Sequence, residues 1–100
     1  MSLTPVTILA DRTNADGTSP AGILTFTLSG PIANGSEIIS NGPIAVPVLA
    51  GVATAVLYAN DDSGTTPLGS DYGVLEELEG APARTYSITV AAGGPNPKHI

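Results

Sequence analysis

Apolar and polar residues alternate along several short segments of this chain, a pattern typical of strands with one face buried. The clearest segment is residues 22–29, where Leu24, Phe26 and Leu28 share one face and threonines occupy the other. The same period of two predicts further strands over residues 6–11, 72–78 and 84–91, and a short edge strand over residues 36–40.

Two more apolar segments, residues 44–49 and 52–58, flank Ala50-Gly51 and predict a hairpin. Pro47 lies inside the first arm and has no N–H for a ladder hydrogen bond. We therefore expect this arm to be an edge strand or to contain a bulge.

No segment repeats apolar residues at helical spacing over several turns. Short strands separated by turn signals about every ten residues predict an all-β fold, either a sandwich or a small barrel. We favour an immunoglobulin-like antiparallel sandwich of about seven strands. The 100 residues suffice for one domain, which we place at residues 1–92.

Residues 93–100 have no strand pattern and predict an extended or flexible tail. We expect this tail to become ordered only when it lies on a neighbouring subunit. The candidate docking residues are Pro95, Pro97, Lys98, His99 and Ile100.

Charge excludes two classes of partner. The formal net charge is −6, and Arg12, Arg84 and Lys98 are the basic residues. No basic patch is available for nucleic acid or for an anionic membrane. Residues 1–5 have neither the basic nor the apolar segment of a signal peptide, and no apolar run is long enough to span a bilayer.

Charged residues make up only 12% of the chain, about half the usual share for a globular domain. A surface with so few charges suits a protein packed against neighbours, although an extracellular-type β-domain has a similar surface. The remaining surface must consist largely of threonine, serine, asparagine and backbone.

Residues suited to catalysis are scarce. The chain contains no cysteine, and its single histidine, His99, lies in the expected tail. A catalytic base must be held rigidly beside its partner, and no serine lies in a Gly-x-Ser-x-Gly motif. We predict that the chain is not an enzyme and uses no cofactor.

Three acids in a polar loop form a weak calcium candidate. Asp61 and Asp62 open this loop and Asp71 closes it, and calcium prefers clustered oxygen ligands. The spacing does not match an EF-hand, and no glutamate ends the loop. The alternative is that these residues make turns at strand ends.

A second acidic group, Glu76, Glu77 and Glu79, lies on or beside the strand over residues 72–78. We interpret it as a solvated strand face that protects an edge from aggregation, rather than as a site. Tyr86, in the last strand, is a candidate for the corner tyrosine of a sandwich, whose hydroxyl bonds to nearby backbone.

The order of these segments resembles the small β-sandwich domains in tail proteins of actinobacterial tailed phages. The resemblance is carried by the loop ADGTSPAG at residues 15–22, the strand ILTFTL at 23–28, ANDD at 59–62 and the strand RTYSITV at 84–90. It covers roughly residues 5–91. Two departures are Ser70-Asp71, where the family usually has an aromatic residue, and Ala50-Gly51, where it usually has an Asp-rich turn.

The resemblance implies a structural component of a tailed-phage virion, a minor tail, tail-tip or fibre-associated protein. Its partners would be other virion proteins and further copies of itself, and it would be assembled in the host cytoplasm. Capsid decoration by an immunoglobulin-like domain is the alternative role. A bacterial carbohydrate-binding sandwich is a further alternative, for which only Tyr58 and Tyr72 could supply ring platforms.

Overall fold

The protein is all-β, as its alternating pattern predicts. A computed structural model describes residues 3–67 and 70–100, which form ten strands. No helix in these ranges has the length and apolar composition needed to cross a membrane. The strands, in chain order, are β1 (Pro5–Asp11), β2 (Gly22–Leu28), β3 (Ile32–Asn34), β4 (Glu37–Ile39), β5 (Ile44–Val48), β6 (Val52–Tyr58), β7 (Thr65–Thr66), β8 (Tyr72–Leu78), β9 (Arg84–Ile88) and β10 (Lys98–His99).

The strands form two larger sheets and one small one. The first sheet has the order β10-β1-β6, and the second has the order β5-β2-β8-β9. A third sheet, β4-β3-β7, joins the β3–β4 hairpin to the short strand β7. Every pairing is antiparallel except that of β10 with β1, which is parallel.

The two larger sheets bury their alternating apolar faces against each other. Val6, Ile8 and Ala10 of β1 contribute to the same hydrophobic cluster as Leu24 and Phe26 of β2. Because a strand directs successive side chains to opposite faces, every second residue of β1 and β6 is buried. The result is a sandwich-like core made mainly of aliphatic side chains.

The predicted hairpin over residues 44–58 is wrong. The chain does reverse at Ala50 and Gly51, which both have positive φ (50° and 82°), as a tight two-residue turn requires. A single bridge between Leu49 and Val52 follows the turn, and the strands then separate into different sheets. β5 pairs with β2, whereas β6 pairs with β1.

Gly51 holds this turn against the rest of the domain. Its N–H donates to the carbonyl of Pro20 at 2.9 Å, and its own carbonyl accepts from the N–H of Arg12 at 2.7 Å. A Cβ atom at this position would fall on the carbonyl oxygen of Arg12. The turn therefore connects the two sheets and also packs against the β1–β2 loop.

The tail departs from its prediction. Lys98 and His99 form β10 beside β1, the N–H of Ile100 donates to the carbonyl of Leu9 at 2.9 Å, and the Ile100 side chain packs against the core. The prediction of a tail without a strand is thus wrong at residues 98–99, because the open edge of β1 in the same chain supplies backbone partners. Docking of the tail on a neighbouring subunit stays a prediction.

Candidate functional site

An apolar groove lies between the β4 hairpin, β5 and the end of β6. Its volume is about 270 Å³, and its walls include Ile38 of β4, Ile44 of β5, and Val56 and Tyr58 of β6. Ile38 is 72% exposed and Val56 is 63% exposed. Large apolar side chains gathered on one exposed surface are typical of an interaction site rather than of a solvated face.

The apolar character of β6 on both faces explains this exposure. Its inward residues, Ala53, Ala55 and Leu57, are buried in the core. Its outward residues Val52, Val56 and Tyr58 are exposed, where a strand facing water on one side normally has polar residues. Apolar residues on both faces are the sequence signal for this surface, and the strand prediction did not use it.

β6 is also an edge strand. In β1, alternate residues direct their backbone groups to opposite sides of the strand. The carbonyl of Leu9 and the N–H of Thr7 are directed to the tail. The even-numbered residues of β1 therefore bond to β6, opposite Ala53, Ala55 and Leu57. The backbone groups of Thr54 and Val56 point away from β1, and no strand in the described ranges pairs with them.

Other edges of the two larger sheets carry residues that discourage pairing. β5 contains Pro47, β9 begins with Arg84, and β10 is a two-residue strand that contains Lys98. The position of β5 at the end of its sheet confirms the predicted edge strand over residues 44–49. β6 is seven residues long and has neither proline nor charge. Among the described edges of the two larger sheets, β6 therefore lacks the proline, charge or short length that discourages pairing with another strand.

A buried polar cluster lies elsewhere in the fold, centred on Glu76 of β8. Glu76 is 5% exposed, so the expectation of a solvated strand face is wrong for this residue. Its Oε1 accepts hydrogen bonds from Nη2 of Arg12 at 2.9 Å and from the hydroxyl of Tyr86 at 2.9 Å. Nε of Arg84 donates to its Oε2 at 3.1 Å. Glu77, the next residue, is exposed as expected.

The surroundings of Glu76 favour its ionised form. Burial alone raises the pKa of this carboxyl, but the hydrogen bonds from Arg12, Arg84 and Tyr86 outweigh burial and lower the pKa to about 2. The hydrogen bond to Glu76 raises the pKa of Arg12 in turn. Oε1 accepts from Arg12, Arg84 and Tyr86 and Oε2 accepts from Arg84, so the cluster is an ion-pair network within the fold.

The predicted backbone hydrogen bond of Tyr86 is wrong, and it is Tyr72 whose hydroxyl bonds to backbone. The hydroxyl of Tyr86 bonds to Glu76, whereas the hydroxyl of Tyr72 donates to the backbone carbonyl of Tyr58 at 2.8 Å. Tyr72 starts β8 and is 3% exposed, so its ring is not available as a platform for a sugar. Tyr58 is the exposed one of the two tyrosines proposed for that role.

The calcium candidates are engaged in separate contacts. The Asp62 carboxylate accepts from the N–H and the hydroxyl of Thr4, at 2.7 and 2.8 Å, and Oδ1 of Asp61 accepts from the N–H of Ala92 at 2.7 Å. The backbone N–H of Asp71 donates to Oγ of Ser29. In the part of the chain that the structure describes, no group of three acidic or histidine side chains is arranged to hold a metal ion.

The candidate docking residues of the tail lie against their own domain. Oδ1 of Asn96 accepts from the N–H of Thr7 at 3.1 Å, and the carbonyl of Ile100 accepts from Nη1 of Arg12 at 2.8 Å. Pro95, Pro97 and His99 remain exposed. Docking through the exposed tail residues stays a prediction, and the groove and the edge of β6 form a second candidate surface.

Comparison with protein-family models, with curated proteins and with solved structures finds no match to this chain. The resemblance to phage tail domains accordingly stays a prediction.

Proposed function

We propose that this chain is a non-enzymatic assembly module, a structural component of a tailed-phage virion that contributes protein–protein contacts in the tail. The observation that carries the proposal is the uncharged surface formed by the groove and by the adjoining edge of β6. Such a surface suits a neighbouring protein in an assembly.

The strand arrangement supports the immunoglobulin-like part of the proposal. The second sheet has the order β5-β2-β8-β9, and β6 pairs with β1 in the opposing sheet. The hydroxyl of Tyr72 at the start of β8 donates to the backbone at the end of β6, a tyrosine-to-backbone bond of the kind found at the corner of immunoglobulin-like sandwiches. A rigid sandwich of this kind can present the same contact surface at every position of a ring or lattice.

The test uses variants of the groove in phage particles. Ile38→Asp combined with Val56→Asp places charge on two exposed groove walls, and burying those carboxylates in an interface would be costly. We expect this variant to fold normally but to be lost from purified particles, as measured by quantitative mass spectrometry. The control, Thr27→Asp combined with Ser87→Asp, changes two exposed residues of the other sheet and should be incorporated normally.

Imaging of the same particles locates the chain. Density at the tail is the expected result, and density on the capsid lattice would replace the tail assignment with capsid decoration. Equal incorporation of both double variants would contradict the role of the groove. Particles that lack the wild-type chain would refute the virion proposal altogether.

A further inference from the structure

The edge of β6 presents backbone hydrogen-bonding groups as well as apolar side chains. Thr54 and Val56 direct N–H and C=O groups outward, and among the described residues these groups have no strand beside them. A row of such groups is satisfied by another β-strand, which adds main-chain hydrogen bonds in register. The chemistry of the edge therefore specifies the kind of occupant.

We propose that this occupant is β6 of a second copy of the same chain, paired antiparallel about a two-fold axis through Ala55. The inference deepens the proposed assembly function by naming the partner, and rests on that proposal for its biological setting. In this register, Thr54 lies opposite Val56 of the second copy and Val56 lies opposite its Thr54. Both residues whose backbone groups point outward are thereby used, with about four hydrogen bonds across the axis.

Charge favours a second copy at this edge over contact elsewhere on the surface. The chain has a net charge of −6, so two copies repel each other on average. β6 has no charged residue along its seven positions. The pairing thus avoids like charges directly opposite each other, which destabilise adjacent strands.

The side chains on the outer face are also compatible with this register. Val52 of one copy lies opposite Tyr58 of the other, an aromatic residue against a β-branched one, which is a favourable cross-strand pair. Thr54 and Val56 are both β-branched and fit the pleated surface. The strand is therefore complementary to itself along its length, as a two-fold interface requires.

The same axis accounts for the groove. Antiparallel pairing joins the sheets β10-β1-β6 of the two copies into one continuous sheet, with both cores on the same side. Because each groove lies at the Tyr58 end of β6, this register places it beside the Val52 end of β6 in the other copy. Ile38 and Ile44 would then border the interface instead of solvent.

The test compares two double variants at the same exposed positions. Thr54→Lys with Val56→Lys puts lysine opposite lysine in the proposed register. Thr54→Lys with Val56→Glu puts lysine opposite glutamate. Sedimentation equilibrium of the full chain at up to about 1 mM gives the dimer dissociation constant, and urea unfolding verifies that both variants are folded.

We expect the wild-type chain to dimerise and the lysine–lysine variant to have a dissociation constant raised at least about tenfold. The lysine–glutamate variant should dimerise more tightly than the lysine–lysine variant, because only the antiparallel register places its opposite charges together. A wild-type chain that stays monomeric throughout would overturn the proposal, as would equal dissociation constants for the two variants. A monomer that is still incorporated into particles would refute the dimer and leave the assembly function standing.

Discussion

Arg12 donates two hydrogen bonds to one oxygen of Glu76, from Nε at 3.1 Å and from Nη2 at 2.9 Å. Arg12 directly follows β1 of the first sheet, whereas Glu76 lies in β8 of the second. The same guanidinium also donates to the backbone carbonyl of Ile100. One side chain thus connects both layers of the sandwich and the tail.

Replacing Glu76 should destabilise the fold. Glu76→Gln removes the charge that two arginines share and leaves Arg12 partly buried without its counter-ion. We expect the free energy of unfolding to fall by about 2 kcal/mol at neutral pH, measured by urea denaturation. The control Glu77→Gln alters the exposed neighbour and should change it by less than about 0.5 kcal/mol. Equal effects of the two substitutions would show that the cluster does not stabilise the protein.

The same ion pair should make stability depend on pH in the acid range. The pKa of Glu76 is lowered from 4.5 to about 2 in the folded chain. A carboxyl whose pKa is lowered on folding stabilises the folded state fully above about pH 4.5, and this stabilisation is lost as the pH falls towards 2. The stability difference between wild type and Glu76→Gln should therefore shrink over this range in urea titrations. A difference that stays constant down to pH 2 would contradict the assignment.

Tyr72 should contribute through its hydroxyl as well as its ring. Tyr72→Phe leaves the carbonyl of Tyr58 without its donor at the junction of the two sheets. We expect a loss of about 1 kcal/mol, measured as a shift of the urea midpoint. Tyr58→Phe is the matched control, because the ring of Tyr58 is exposed, and it should be nearly neutral. If both substitutions were neutral, the hydrogen bond from the Tyr72 hydroxyl to the carbonyl of Tyr58 would contribute nothing to stability.

The tail should stabilise the domain that it lies on. A chain ending at Ala92 lacks β10, the packing of the Ile100 side chain and the hydrogen bond that Arg12 donates to the carbonyl of Ile100. We expect the free energy of unfolding to fall by about 2 kcal/mol, measured by thermal and urea denaturation. Ile100→Ala in the full chain isolates the packing part and should have a smaller effect. An unchanged midpoint would restore the expectation of a free tail.

Gly51 should be intolerant of a side chain. Gly51→Ala forces a Cβ atom onto the carbonyl oxygen of Arg12 in addition to the strain of positive φ. Gly17 has a similar φ of 88°, but a Cβ atom there would meet no other atom within 4 Å, so Gly17→Ala is the matched control. We expect a cost of about 1 kcal/mol at Gly17 and at least about 2 kcal/mol more at Gly51, by urea denaturation. Similar costs would mean that the β1–β2 loop yields without penalty.

Local pattern predicts seven of the ten described strands, misses the short strands β3, β7 and β10, and does not determine which strands pair. The alternation around Phe26 predicts β2 correctly, and the Ala50-Gly51 turn is where the sequence places it. A turn sequence determines where the chain reverses, but the strand that each arm joins depends on distant segments. β5 joins β2 and β6 joins β1 because the layers are assembled from tertiary contacts.

The strand pattern already indicated that Glu76 would be buried. Glu76 alternates with Tyr72 and Val74 and therefore falls on the core face of β8. A buried acid requires donors, and the chain has only three basic residues, of which Arg12 and Arg84 reach it. Identifying them required the path of the β1–β2 loop, which sequence periodicity does not describe.

The pairing of β1 has a consequence for synthesis on the ribosome. Its backbone partners are residues 52–58 on one side and residues 98–99 on the other. β1 must therefore wait for residues 98–99, about ninety residues later in the chain, before both of its edges are filled. Such distant pairing slows folding and keeps nascent strands exposed. The first sheet is therefore completed only when residues 98–99 are free to pair, rather than strand by strand in chain order.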